Sequence, residues 1–108
     1  MNRVTDLEVA KKLIQIEQSA SSRGFKFNLT LRTVRRLMNT EKCFFTGVVM
    51  NNIENDPNQR TFDRINNRKG YVEGNMVACT KEFNNKKANL TINDIVLLYK
   101  GLQKKKLL

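Results

Sequence analysis

Residues 62–87 read FDRINNRKGYVEGNMVACTKEFNNKK, and the fold turns on how this stretch is divided. Arg60 to Ile65 alternates in the manner of a strand. Asn66-Asn67-Arg68-Lys69-Gly70 has turn composition, and Gly70 and Gly74 bound a short excursion. Asn75 to Ala78 suits a second short strand, and Cys79 to Ala88 suits a helix rich in Lys and Asn. A strand, a turn, a strand and a helix in this order predict a compact ββα unit. It can bring Asp63, near the end of the first strand, beside Asn84 on the helix. A carboxylate and an amide oxygen suit a hard cation such as Mg²⁺, completed by water and phosphate oxygens. Arg64, Arg68, Lys69, Lys81, Lys86 and Lys87 would surround that point with positive charge.

Outward from this unit the chain predicts helices on both sides. Thr5-Asp6-Leu7-Glu8 is a capping box opening an N-terminal helix. Leu7, Ala10, Leu13 and Ile14 are its expected apolar face, flanked by Val9 and Ile16, and Gly24 is its expected stop. Phe25, Phe27 and Leu29 alternate with polar residues and predict an extended piece. Thr30 caps a helix over about Leu31 to Asn39, with Arg32, Arg35 and Arg36 on its polar face. Cys43 to Val49 predicts a strand or tight hairpin, and residues 51–59 a polar loop. Thr91 caps a last helix with apolar residues Ile92, Ile95, Val96, Leu98, Tyr99 and Leu102. The expected class is α+β, one domain over 1–108: an N-terminal helix (1–24), a core (25–90) and a C-terminal helix (91–108).

Composition narrows the chemistry. The 108 residues hold 20 Lys plus Arg against 10 Asp plus Glu, a formal net charge of +10. Such an excess on a short chain favours a polyanionic partner, nucleic acid first. There is no histidine, which excludes histidine triads, histidine general bases and histidine metal ligands within this chain. Cys43 and Cys79 form no CxxC pair. Two reduced, buried thiols are expected, with a single disulfide as the other option. The N-terminus has no apolar signal region and no stretch is long enough to span a bilayer, so the expected location is cytoplasmic, in the host cell if the chain is phage-encoded.

Asp63-Arg64-Ile65, Gly70-Tyr71, Gly74-Asn75 and Asn84-Asn85-Lys86-Lys87 together resemble the signature of small phage-type HNH endonucleases. Cys43-Phe44-Phe45-Thr46-Gly47 is similar to the segment that precedes it there, and Leu90-Thr91-Ile92 to the lead-in of the following helix. The resemblance spans about residues 25–100 and implies the ββα-metal fold. It implies that Asp63 and Asn84 are metal ligands for Mg²⁺ or Mn²⁺, that Asn75 orients the base, and that Lys87 holds phosphate. Asp63, Arg64, Asn75 and Asn84 are thereby the catalytic candidates. The sequence departs from the family at its centre: Arg64 stands where the general-base histidine belongs. Arginine stays protonated and takes no proton from water, but it binds phosphate. The zinc knuckle of many relatives would place cysteines near 43, 46, 80 and 83. Thr46, Thr80 and Phe83 occupy the last three, so structural zinc is not expected.

The residues leave several roles open. Asp63 is either a metal ligand or the partner of a cationic neighbour. Asn84 is either a ligand or a helix-surface amide. Tyr71 either stacks on a base or packs the turn. The expected function is therefore a metal-dependent DNA endonuclease or nickase. The alternative is a catalytically degenerate HNH scaffold, a phage-type accessory protein that binds DNA, RNA or a host protein without cleavage. A basic subunit of a nucleoprotein assembly is a third option. No membrane partner is expected.

Overall fold

Thr5 and Glu8 open the chain's first helix in the computed structural model, which describes residues 4–108. The Thr5 hydroxyl accepts the Glu8 N–H at 3.1 Å and the Glu8 carboxylate accepts the Thr5 N–H at 3.2 Å, closing the capping box. Helix α1 runs Asp6–Arg23 and stops at Gly24, whose φ of 72° is a left-handed conformation that glycine adopts freely. Its core stripe is Val9, Leu13, Ile16 and Ala20. Leu7 and Ile14, expected on the apolar face, are 63% and 53% exposed. The face is rotated because α2 and the sheet lie on the Val9–Ala20 side, a constraint that helical spacing alone does not carry.

Thr30 caps α2 (Leu31–Met38), which drives Val34 and Leu37 into the core. Strands β1 (Arg60–Arg64) and β2 (Met76–Thr80) form one antiparallel ladder, with Arg60 opposite Thr80 and Arg64 opposite Met76. β2 is buried throughout while every residue of β1 is half-buried. Cys79, expected to start the next helix, instead pairs with Thr61 in the ladder. The helix starts two residues later because Thr80 is its cap: its hydroxyl accepts the Phe83 N–H at 3.2 Å. Helix α3 (Lys81–Lys87) packs back on both strands. Among the described residues, four helices and a two-stranded antiparallel sheet give the α+β class, with a strand–strand–helix order at its centre.

Two short segments extend the sheet's reach. The expected hairpin at 43–49 is present as a Lys42–Val49 bridge, closed by Gly47 at φ 74° and tied to β2 by the Phe44 N–H on the Ala78 carbonyl at 2.9 Å. The extended piece around Phe27 bridges Tyr71, with the Tyr71 N–H on the Lys26 carbonyl at 2.8 Å. A Cβ at the neighbouring Gly70 would lie 2.3 Å from that same carbonyl, so the close approach requires glycine. Helix α4 (Ile92–Lys104) opens on its own capping box, Thr91 with Asp94, and buries no residue. Among the described residues no helix is long and apolar enough to cross a membrane.

Candidate functional site

Strand alternation gives β1 two faces. Thr61 and Asp63 turn to α3: Asn84 Nδ2 donates to Thr61 Oγ1 at 3.3 Å, and Lys87 Nζ stands 2.8 Å from Asp63 Oδ2. Phe62, from the other face, meets α1, where Lys12 Nζ lies 5.1 Å from its ring centroid. Between α1, β1 and the end of α3 is a cleft of about 620 Å³. Lys12, Gln15, Ser19 and Arg23 line it from one side of α1, at spacings of three and four residues. Arg60, Arg64 and Asp63 line it from β1, and Lys81 and Asn84 from α3. Asp63 is the one carboxylate among these lining residues.

That carboxylate is already engaged. Asp63 Oδ1 accepts its neighbour's N–H, from Arg64, at 2.8 Å. Oδ2 is buried and faces the Lys87 ammonium at 2.8 Å, an approach that is close in charge but outside hydrogen-bond geometry. The Lys87 side chain is 1% exposed, so a lysine expected at phosphate is instead the interior counter-ion of Asp63. Nζ also reaches the Arg64 carbonyl at 3.5 Å.

Arg64 is likewise turned inward. Its guanidinium carbon lies 4.2 Å from the Phe25 ring centroid and 4.8 Å from that of Tyr71, and Nη1 donates to the Asn67 and Lys69 carbonyls at 3.0 and 3.1 Å. Cation–π contact and carbonyl capping hold the cation in place. Tyr71 is buried, packs edge-on against Phe25 and accepts from Arg23 at 3.2 Å. Asn75 is buried and spends its whole amide on the turn. Oδ1 accepts the Asn66 N–H at 3.0 Å, and Nδ2 donates to the Asn66 and Gly70 carbonyls at 3.1 and 2.9 Å.

The structure thus brings Asp63, Arg64 and Asn84 to one cleft, and it sets Asn75 behind them as a clamp on the 66–70 turn. Lys81 lines the cleft and donates to Asn55 Oδ1 at 3.0 Å. Arg68 and Lys69 are exposed on the turn, and Lys86 is exposed and pairs with Glu82 at 3.2 Å. Arg32 and Arg36 are exposed on α2, outside the cleft lining, and Arg35 pairs with Asp6 and donates to the Val4 carbonyl at 3.1 Å. Lys12, Gln15, Arg23 and Arg60 were not among the expected site residues. For the three on α1 the signal was the polar row 12, 15, 19 and 23, legible only once the buried face of that helix is known; Arg60 carried none of its own.

As arranged, these residues do not fit a divalent cation. A hard cation of this kind takes about six oxygens, with carboxylate charge among them. Here the carboxylate is neutralised by Lys87, and Asn84 offers its amino group to Thr61. Among the described residues no three His, Cys, Asp or Glu side chains converge. The four positions matching a zinc knuckle do meet, but they carry one sulfur. Cys43 Sγ accepts the Thr80 N–H at 3.4 Å, and Phe83 packs on Phe45 at 5.0 Å between centroids. Both cysteines are free and buried. Burial pushes the Cys43 thiol up, but hydrogen bonds from Thr46, Thr80 and Phe45 together bring it below its ordinary value. Burial pushes Cys79 up to about 11.

One comparison bears on the chain's relatives. It is 24% identical over 90 residues to an uncharacterized 29.0 kDa protein in the dda-modA intergenic region of Enterobacteria phage T4. That match takes in 82% of this chain and 36% of the relative, so the chain spans about a third of that protein's length. No protein-family model matches the chain, and no solved structure does.

Proposed function

We propose that this chain is a nucleic-acid-binding module on an HNH-like ββα scaffold, one that grips backbone phosphate without efficient cleavage. The observation that carries it is the ionic balance of the cleft. Lys12, Arg23, Arg60, Arg64 and Lys81 line it, and its one carboxylate is already paired with Lys87. Surplus cations at a concave surface raise the local concentration of polyanions and speed their capture. Cleavage lacks its usual proton acceptor, because the chain has no histidine and an arginine stands at position 64. General-base catalysis contributes roughly 10²–10⁴-fold, so what remains is slow. DNA is the partner that the resemblance favours, and the phage T4 relative is in keeping with a phage-type accessory role.

A second function, metal-dependent nicking with Mg²⁺ or Mn²⁺, which the resemblance implies, has against it the Lys87 ammonium 2.8 Å from Asp63 Oδ2, where an ion would have to sit. Gel shifts across a salt series, run beside supercoiled-plasmid incubation with Mg²⁺, Mn²⁺ or EDTA, separate the two. Salt-sensitive binding with intact plasmid is expected. Rapid metal-dependent nicking would favour the second function, and no binding at any salt would end both.

A further inference from the structure

We infer that the α1-side cleft takes single-stranded nucleic acid in preference to duplex, with phosphates on Lys12, Arg23 and Lys81 and base edges on the neighbouring amides. This rests on the nucleic-acid function proposed above and narrows its substrate. Size comes first. A cleft of about 620 Å³ has the volume of a small-molecule pocket. A base-paired stack is not enclosed by a space of that volume, whereas one or two unpaired nucleotides are.

The distribution of chemistry comes second. Lys12 and Arg23 stand eleven positions apart on α1, about 16 Å at the rise of a helix. That row is long enough to meet more than one phosphate of a single strand. Amides sit between and opposite these cations: Gln15 on α1, Gln59 before β1, Asn84 on α3 and Asn89 beyond it. Gln59 gives its Oε1 to the Asn55 N–H at 3.0 Å and keeps its amino group, while Asn84 gives its amino group to Thr61 at 3.3 Å and keeps its carbonyl. Donors and acceptors of this kind pair with base edges, which unpaired strands present and duplexes hide. Most exposed cations elsewhere, such as Arg32, Arg36 and Lys104–Lys106, have no such amides beside them in a cleft.

The test is fluorescence anisotropy with a labelled 12-nucleotide single strand and the matching 12-base-pair duplex, at one fixed salt concentration. The wild-type chain should bind the single strand at least tenfold more tightly. Gln15→Ala with Asn89→Ala, both at exposed positions, should remove most of that preference by weakening single-strand binding more than duplex binding. Amide chemical-shift mapping on the wild-type chain with a six-nucleotide strand provides a reading that needs no variant: α1 residues 12–23 and residue 89 should move. Duplex binding as tight as single-strand binding, or shifts confined to α2 and the 66–70 turn, would overturn the inference and leave nucleic-acid binding standing. Binding to neither ligand would overturn both.

Discussion

Helices α3 and α4 start alike and end differently. Each is capped by a threonine whose hydroxyl accepts a backbone N–H within its first turn, and each carries lysine in its last turn. α3 has seven residues, and its Lys87 is buried against Asp63. α4 has thirteen, buries none, and leaves Leu97, Leu98 and Tyr99 more than half exposed at 68%, 54% and 55%. The difference lies in the connections. Thr80 both ends β2 and caps α3, so α3 has no slack and must lie on the sheet. After it the chain turns through Ala88 at φ 45°, a left-handed value unusual outside glycine, and α4 leaves the core. Capping and periodicity decide whether a helix forms, and the length of its tether decides whether it is packed.

Breaking the α3 side should cost the most. Lys87→Met strands the Asp63 carboxylate half-buried and unpaired, and should lower unfolding free energy by about 3–5 kcal/mol in urea titrations. Lys87→Met combined with Asp63→Leu should recover much of that loss. Asn75→Ala removes three hydrogen bonds to the 66–70 turn and should cost about 2–4 kcal/mol, with faster amide exchange at residues 66–70. On the α4 side, Leu98→Ala should change stability by less than about 0.5 kcal/mol, the range of an exposed site. A loss of 2 kcal/mol or more, varying with protein concentration, would show that α4 is packed in an assembly.

Glu73 supplies a smaller effect with a definite sign. The Thr33 hydroxyl, with lesser help from Thr30 and Arg36, holds its carboxyl below the usual glutamate value. A depressed folded-state pKa stabilises fully above the ordinary value and is lost as pH falls through the lower one. Thr33→Val should therefore destabilise slightly at neutral pH and flatten the acid limb of the stability profile below about pH 4. An unchanged acid limb would contradict the hydrogen-bond assignment.

The legible parts of the chain were those written locally. Thr5 with Glu8, Thr30, Thr91, Gly24 and the 66–70 turn announce themselves over three or four residues, and the structure keeps each. The order of strands and helix also followed from local pattern, and Asp63 and Asn84 do line one cleft. What stayed hidden depends on distant partners. Lys87 is a surface lysine by composition, yet Asp63, twenty-four positions away, fixes it inside. Arg64 had an empty cationic role until Phe25 and Tyr71 bracketed it. The α1 wall was hidden because its buried face is chosen by α2 and the sheet, and Val9 and Ala20 rather than Leu7 and Ile14 fill it.

The proposed function requires binding charge to be localised on the cleft and not on the chain's basic surplus at large. The direct measurement is the salt dependence of DNA affinity for two variants of the same protein. One carries Lys12→Ala with Arg23→Ala, and the other carries Lys104→Ala, Lys105→Ala and Lys106→Ala at the end of α4. Each phosphate contact contributes roughly 0.7–0.9 to the slope of log affinity against log salt. The cleft variant should lose roughly 1–2 units of slope and at least tenfold in affinity, while the tail variant, despite removing more charge, should lose less than half as much. Equal losses, or a larger loss from the tail, would contradict a cleft-centred site.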